Sequence, residues 1–211
     1  KLETHIEKVK VLGLINIKVL AAGSLFLGDV REPITSTKDG PKAINWGIPF
    51  TARPKALRFD YKTSLPNVAN RIKQNGFSSA STVAGRDHAI VVLYLQKRHE
   101  DAKGNITAKR VGTMVVRYSK STNGWVEDAT YNIHYGDIRH MAGYYAATMG
   151  LRSTDYARNS KGKSVPVREV GWAAAGETPT HLILQFSSSD GGAYIGTPGN
   201  TLWIDNVSLV Y

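Results

Sequence analysis

The chain has 211 residues, no cysteine, and a formal net charge of +10 from 27 Lys and Arg against 17 Asp and Glu. This length predicts one large domain with a core of its own. The lack of cysteine excludes a disulfide scaffold, a thiolate zinc site, an iron–sulfur cluster and a cysteine nucleophile. No membrane-spanning helix is predicted, because the most apolar stretch, Val11–Leu27, contains Asn16 and Lys18 and falls short of the ~20 apolar residues needed.

The positive charge is densest in Lys97–Lys120, where seven basic residues accompany two acidic ones. This stretch has the pattern of two strands joined by a polar turn, and it carries no RNA-binding aromatic signature, zinc finger or KH-like loop. No nucleic acid partner is therefore predicted. Two interpretations stay open: a solvated basic face, or a surface for an anionic polysaccharide or an acidic partner.

The first segment, Lys1–Lys10, intersperses Lys and Glu with little apolar content. It is expected to be a linker or the stub of an upstream domain, with a simple N-terminal extension as the alternative. The domain proper is expected over residues 11–211.

The remaining chain is dominated by strand signals. Short runs rich in β-branched and aromatic residues, mostly bounded by Gly, Pro, Asn, Asp or Ser, predict seven strands: Asn16–Phe26, Ala56–Thr63, His88–Gln96, Gly112–Tyr118, Asp128–Tyr135, Thr180–Ser187 and Thr201–Tyr211.

Alternation of apolar and polar residues indicates which strands bury one face. It is clear in Leu57–Lys62 and in Leu182–Phe186. In the last strand the phase shifts between Ile204 and Val207, which predicts a bulge near Asp205–Asn206.

Helix signals are few. Helical spacing of apolar residues occurs only in Pro66–Gln74 and Ile138–Thr148. Long Gly- and Pro-rich loops connect the strands, and such loops are where binding usually occurs. Many short strands with few helices predict an all-β fold of the sandwich or jelly-roll type.

Four segments together resemble a known family. They are Ala21–Gly28 (AAGSLFLG), Trp46–Tyr61 (WGIPFTARPKALRFDY), Trp125–Tyr135 (WVEDATYNIHY) and Phe186–Tyr211 (FSSSDGGAYIGTPGNTLWIDNVSLVY). The chain is similar to the Putative carbohydrate metabolism domain, a family of C-terminal domains of exported surface proteins from Bacteroides-type bacteria. The resemblance implies a jelly-roll β-sandwich related to galactose-binding-like domains and carbohydrate-binding modules.

The same resemblance implies a context. It suggests a secreted or cell-surface, outer membrane-associated location, with a lipid anchor in the full-length protein, and an upstream immunoglobulin-like domain. The chain departs from the family pattern in one place, because an insert at about 136–178 separates Tyr135 from the strand that ends at Phe186.

Sugar sites combine flat aromatic rings with a few hydrogen-bonding side chains. The insert carries such a set, and we predict a ligand site there, with the alternative that these residues form a satellite cluster capping one end of the sandwich. Trp46 is a weaker candidate, since a core or loop-anchoring role is the alternative for it. The predicted ligand-binding residues are Trp172, Tyr144, Tyr145, Arg139, His140, Tyr135, Trp46 and Asp60.

The predicted metal ligand is Asp205. In related jelly rolls an Asp of the final strand helps to bind a structural calcium ion, and an Asp that only caps a bulge is the alternative. No other cofactor is predicted.

These observations predict a module that binds a polysaccharide or oligosaccharide within a glycan-utilisation protein. The first alternative is a glycoside hydrolase or lyase, with acids drawn from Asp60, Glu127, Glu169 and Glu177, although no acid pair stands out in the sequence. The second alternative is a structural or adhesin-like interaction module. Enzymatic activity is thus left open.

Overall fold

The structure is a computed structural model that describes residues 1–11, 15–31, 40–76 and 79–211. Short strands dominate the described residues, and the two helices have four residues each. The elements in chain order are β1 (Leu2–Glu3), β2 (His5–Val11), β3 (Ile15–Ala21), β4 (Ser24–Phe26), β5 (Gly28–Val30), α1 (Gly40–Ala43), β6 (Ile44–Trp46), β7 (Ile48–Pro49), β8 (Ala56–Ser64), β9 (Arg71–Lys73), β10 (Asn75–Gly76), β11 (Ser81–Val83), β12 (Ala89–Glu100), β13 (Ile106–Tyr118), β14 (Val126–Asn132), β15 (His134–Tyr135), α2 (Ala146–Met149), β16 (Tyr156–Arg158), β17 (Ser164–Trp172), β18 (His181–Ser187), β19 (Ile195–Gly196) and β20 (Thr201–Val210).

Two sheets form the sandwich. A four-stranded sheet has the order β1-β20-β8-β14, and a larger sheet has the order β16-β17-β13-β12-β18-β4, with β15 added beside β13 and β7 beside β18. The strands of both sheets pair antiparallel, except that β17 runs parallel to β13. Three smaller sheets accompany the sandwich among the described residues: β10-β3-β2, β11-β9-β19 and β5-β6.

The main core lies between the two sheets. Leu57 and Phe59 of β8 are fully buried against Leu93 of β12 and Phe186 of β18. The rings of Phe59 and Phe186 meet edge to face, with 5.3 Å between their centroids. Each such side chain contributes about 1.5–3 kcal/mol through removal from water. The protein is therefore an all-β sandwich, as predicted, while the jelly-roll connectivity stays a prediction.

The larger sheet is covered on both faces, which explains why the first eight residues of β12 are all buried. Val91, Leu93 and Leu95 face the main core. The side chains between them, including Val92 and Tyr94, form a second apolar cluster on the outer face. A strand buried on both faces loses the apolar–polar alternation that marks a half-exposed strand.

The predicted bulge near Asp205–Asn206 is confirmed. The register between β20 and β8 shifts between Asp205 and Ser208, and Asn206 has a φ of 51°. A second bulge lies in β14, where Asp128 also has a φ of 51°. Asp60 of β8 joins the two bulges, because its carboxylate accepts hydrogen bonds from the Asp128 amide and the Asn206 side chain, both at 2.6 Å.

The structure differs from the expected linker at residues 1–10. Leu2 and Glu3 pair with Leu202 and Thr201 of the last strand, and His5–Val11 pairs with β3. The segment is thus hydrogen-bonded into the sheets. Its low apolar content fits edge strands, which need only one buried face or none.

The expected helices also need correction. Within Pro66–Gln74 the structure has strand β9, paired with β11 and β19, and Ile138–Thr148 reaches helical conformation only at its end, in α2. The insert contains β16 and β17, and β17 is an integral strand of the larger sheet. Within the described ranges, no helix is long and apolar enough to cross a membrane.

Candidate functional site

Segment 138–149 covers the outer face of the larger sheet. The Tyr94 hydroxyl donates to the Thr148 carbonyl, and the Arg110 guanidinium donates to the carbonyl of Gly150 at 3.2 Å. These bonds satisfy carbonyl groups at the end of α2 that have no partner within so short a helix. The segment is therefore held at fixed points on the sheet.

A cleft of about 160 Å³ opens between this segment, β13 and the neighbouring strands β14 and β15. Its size is below the several hundred Å³ of drug-sized ligand sites, so it suits about one sugar residue. Apolar side chains form most of its wall. The polar groups that line it come from Thr113, Asn132, His134 and Tyr144.

A charged cluster adjoins the cleft and is called the Arg117 cluster here: Arg117, Asp190, His88 and Tyr145. The Arg117 side chain donates through Nε to Asp190 Oδ2 at 2.7 Å and through Nη2 to the Nδ1 atom of His88 at 2.9 Å. Its guanidinium carbon lies 4.8 Å from the centre of the Tyr145 ring. The Tyr145 side chain is 48% exposed, so its ring offers a surface to a ligand.

Strand register explains why these distant residues meet. Ile90 of β12 pairs with Arg117 on one side and with Ser187 on the other. His88 precedes Ile90 by two residues and Asp190 follows Ser187 by three, so both lie at the same end of the sheet as Arg117.

The protonation of His88 follows from its surroundings. Burial lowers the pKa of His88, and the positive charge of Arg117 acts in the same direction, while Asp190 opposes it. At neutral pH the imidazole is therefore uncharged. Because Nδ1 accepts a hydrogen bond from Arg117, the ring hydrogen resides on Nε2.

Asp87 anchors the loop that carries Asp190. One carboxylate oxygen accepts from the Ser189 hydroxyl at 2.8 Å, and the other accepts from the Thr197 amide at 2.6 Å and the Asn200 side chain at 3.0 Å. Burial raises the pKa of Asp87, and the hydrogen bonds from Ser189 and Thr197 counteract this shift. The Asp87 carboxylate thus holds the loop in place, and the loop in turn holds Asp190 against Arg117.

Of the residues predicted from the sequence, four lie on segment 138–149. Tyr144 lines the cleft and Tyr145 belongs to the Arg117 cluster. Arg139 and His140 are exposed on the same segment. Arg139 binds the Asp137 carboxylate at 2.6 Å, and this contact lowers the pKa of Asp137 to about 2.

Three predicted aromatic residues make contacts within the fold instead. Trp172 is half-buried, with the Arg110 guanidinium carbon 5.8 Å from its ring centre. The Tyr135 hydroxyl donates to the Pro54 carbonyl at 2.7 Å. Trp46 packs on Phe26, with 4.9 Å between ring centroids. These contacts hold the three side chains within the fold. The cleft and the Arg117 cluster therefore do not include them.

Asp60 and Asp205 lie on the four-stranded sheet, away from the cleft. The pKa of Asp60 is lowered first by the Asp128 amide and then by Asn206, which matches its role between the two bulges. Asp205 is exposed, and its Oδ1 atom accepts from the Asn206 amide at 2.8 Å. In the part of the chain that the structure describes, no group of three or more His, Asp or Glu converges as metal ligands, and calcium binding by Asp205 stays a prediction.

The other acids considered for hydrolysis are dispersed. Glu169 is fully buried in an ion pair with Arg110, Glu177 binds Lys97 at 2.8 Å on the surface, and Glu127 is exposed on β14. The sequence did not indicate Asp87, His88, Arg117 or Asp190 as site residues. The one signal was the placement of Arg117 between Val116 and Tyr118 on a predicted strand.

Solved structures with a similar fold come from Bacteroides species. A putative glycoside hydrolase from Bacteroides vulgatus ATCC 8482 is 16% identical with a TM-score of 0.50, and the alignment covers 99% of this chain and 77% of that one. A putative glycoside hydrolase from Bacteroides thetaiotaomicron VPI-5482 is 18% identical with a TM-score of 0.49, covering 99% of this chain and 57% of that one. The chain thus spans under two thirds of the second protein.

No curated protein sequence matches this chain. A family match nevertheless extends over residues 1–210, almost the whole length of the described fold. The matched residues include both sheets, segment 138–149 and the cleft beside that segment. The chain belongs to the Putative carbohydrate metabolism domain family.

Proposed function

We propose that this domain binds carbohydrate at the cleft and the adjoining Arg117 cluster. The observation that carries the proposal is the Tyr145 ring, which is half-exposed and supported by the Arg117 guanidinium at 4.8 Å. Sugar rings stack their C–H faces on such aromatic surfaces, and the support from Arg117 keeps the ring in one orientation. Membership of a carbohydrate-related family supports the class of ligand.

The polar groups around Tyr145 suit sugar hydroxyls. Arg117 has donor capacity beyond its bonds to Asp190 and His88, and its side chain is 29% exposed. The Nε2 hydrogen of His88 is a further donor in the Arg117 cluster, and Tyr144 and Asn132 line the adjoining cleft. Because such bonds replace bonds to water, each one contributes only about 1 kcal/mol, and we expect modest affinity for a single site.

Hydrolysis is the competing proposal, since the similar structure from Bacteroides vulgatus is described as a putative glycoside hydrolase. Hydrolysis of a glycosidic bond needs two carboxyl groups on either side of the bond, about 5–10 Å apart. Among the described residues, none of those lining the cleft is Asp or Glu. The adjoining Asp190 side chain is only 4% exposed and is bound to Arg117. These features favour binding over hydrolysis.

The test compares two substitutions of Tyr145. The probe is the glycan that binds best on an array. We expect Tyr145→Ala to lower the affinity for this glycan by about tenfold. We expect the affinity of Tyr145→Phe to stay within about threefold of the wild type, because the phenylalanine keeps the stacking surface. Isothermal titration calorimetry with that glycan gives the affinities. Tyr211→Ala, at a side chain that is 63% exposed elsewhere, is the matched control.

Two results would contradict the proposal: the absence of any bound glycan, and equal affinity for the wild type and Tyr145→Ala. Release of new reducing ends from a bound oligosaccharide would establish hydrolysis in addition to binding.

A further inference from the structure

A second surface lies on the outer face of the four-stranded sheet, away from segment 138–149. Trp203 of β20 pairs in register with Lys62 of β8, and the Lys62 ammonium lies 4.5 Å from the centre of the Trp203 ring. Lys1 approaches the same ring, with its ammonium 5.7 Å from the centre. The indole is therefore flanked by a lysine from each neighbouring strand position.

A second indole extends this row. Trp125 is 46% exposed and directly precedes Val126, whose register partner is Tyr61. The next position along that ladder is Lys62. Extending the register of β14 and β8 by one position sets Trp125 opposite Lys62, so the strand order β1-β20-β8-β14 gives a row that alternates between lysine and tryptophan across the sheet: Lys1, Trp203, Lys62 and Trp125. We call it the Lys–Trp row.

The spacing within the row is set by the sheet. Neighbouring strands lie about 4.8 Å apart, so residues on every second strand are about 10 Å apart. From this spacing we expect the two lysines, and likewise the two tryptophans, to lie about 10 Å apart. A disaccharide repeat of an extended polysaccharide has a similar length. A chain lying across the strands would therefore meet the same kind of side chain at every second sugar.

The charges of the row favour an anionic chain. Among the described residues Lys62 forms no ion pair, and the protein as a whole has a formal charge of +10. Lys1 does pair with Glu3 at 2.6 Å. Two residues further along the strands, Asp60 and Asp205 form an acidic position beside the row. Like-charge repulsion from these acids would confine an anionic chain to the Lys–Trp row itself.

We propose that the Lys–Trp row binds an acidic polysaccharide that carries a carboxylate on every second sugar. Its carboxylates pair with the lysines, and the intervening sugars contact the indole rings. This surface is separate from the cleft and the Arg117 cluster, and the proposal does not depend on binding there.

The experiment measures binding of hyaluronan oligosaccharides, which alternate a uronate with a neutral sugar, by calorimetry at low salt. We expect Lys62→Glu and Trp125→Ala each to weaken binding about fivefold or more, since the first reverses the charge at one ionic contact and the second removes one stacking surface. Lys103→Glu makes the same charge change at an exposed lysine in the turn between β12 and β13, and we expect less than about twofold loss. Thermal unfolding verifies that the variants fold.

The specificity of the row is tested with two further probes. Tyr211→Ala, at an exposed side chain outside both the row and the cleft, is expected to bind hyaluronan like the wild type, which separates the loss of a row residue from a general effect of substitution. Failure of hyaluronan to bind, equal losses in Lys62→Glu and Lys103→Glu, or equally tight binding of single-stranded DNA of the same charge would overturn the proposal. The last two results would assign binding to net charge alone.

Discussion

Removal of one buried charge tests how the larger sheet holds segment 138–149. Glu169 of β17 and Arg110 of β13 form an ion pair in which both side chains are fully buried. The Glu169 carboxylate accepts from Arg110 Nε at 2.7 Å and Nη2 at 2.5 Å, from Gln96 Nε2 at 2.7 Å and from the Arg152 amide at 2.8 Å. All four donors converge on two oxygens, so the site requires a carboxylate.

The substitution Glu169→Gln keeps the shape but replaces one oxygen by an NH₂ group. The NH₂ group then faces N–H donors and cannot accept from them. In addition, the Arg110 charge is left without a counter-charge in the interior. Breaking a buried pair in this way costs about 3–5 kcal/mol, a large part of the ~5–15 kcal/mol that stabilises a typical domain. For a chain of this length the loss corresponds to a melting temperature lower by about 10 °C.

Urea unfolding followed by tryptophan fluorescence measures the free energy directly. Glu177→Gln is the matched control, because its pair with Lys97 is on the surface and is expected to contribute at most about 1 kcal/mol. The double variant Arg110→Met with Glu169→Leu is expected to regain stability relative to Glu169→Gln, since no charge is then left unpaired. A Glu169→Gln protein within about 1 kcal/mol of the wild type would refute this reasoning.

Two further predictions concern acid sensitivity and packing. Burial lowers the pKa of His181 to about 4 in the folded protein. In the unfolded protein its pKa is near 6.5, so as the pH falls the unfolded protein binds a proton at His181 before the folded protein does. Its contribution to stability is complete above about pH 6.5 and is lost as the pH falls towards 4, and we expect His181→Gln to reduce the change in urea midpoint between pH 7 and 5. Unchanged midpoint differences would contradict this. Phe59→Ala should cost about 3–5 kcal/mol in urea unfolding, whereas Leu25→Ala, at a side chain that is 53% exposed, should stay within about 0.5 kcal/mol; similar losses would contradict the assignment of the core.

The strands of the sandwich could be predicted where one face is buried. Leu57–Lys62 alternates in the sequence because β8 packs on the core with one side only. The phase change between Ile204 and Val207 likewise reports a bulge directly. Local patterns are sufficient in these cases because each records how a single strand meets water.

Strand β17 and the short strand β9 could not be predicted in this way. The buried Glu169 resembles a surface residue in the sequence, since its partner Arg110 lies on another strand. The helical spacing in Pro66–Gln74 is overridden by pairing of β9 with β11 and β19. In both cases a contact distant in sequence decides the conformation.

Only part of the candidate site can be recognised from the sequence, for the same reason. Tyr144 and Tyr145 stood out because aromatic residues are concentrated in one stretch. His88, Arg117 and Asp190 are far apart in the chain and share no motif. They converge only through the register of β12 with its two neighbours.

The pairing of β1 with β20 has a consequence for how the chain folds as it is synthesised. Leu2 can pair with Leu202 only after nearly the whole domain has been translated. Strand β8 likewise cannot pair with β20 until β20 has been synthesised. Until then, both strands expose unpaired backbone groups that other chains could capture. The four-stranded sheet is thus expected to close last and slowly, and nascent chains are expected to need protection from aggregation until it does.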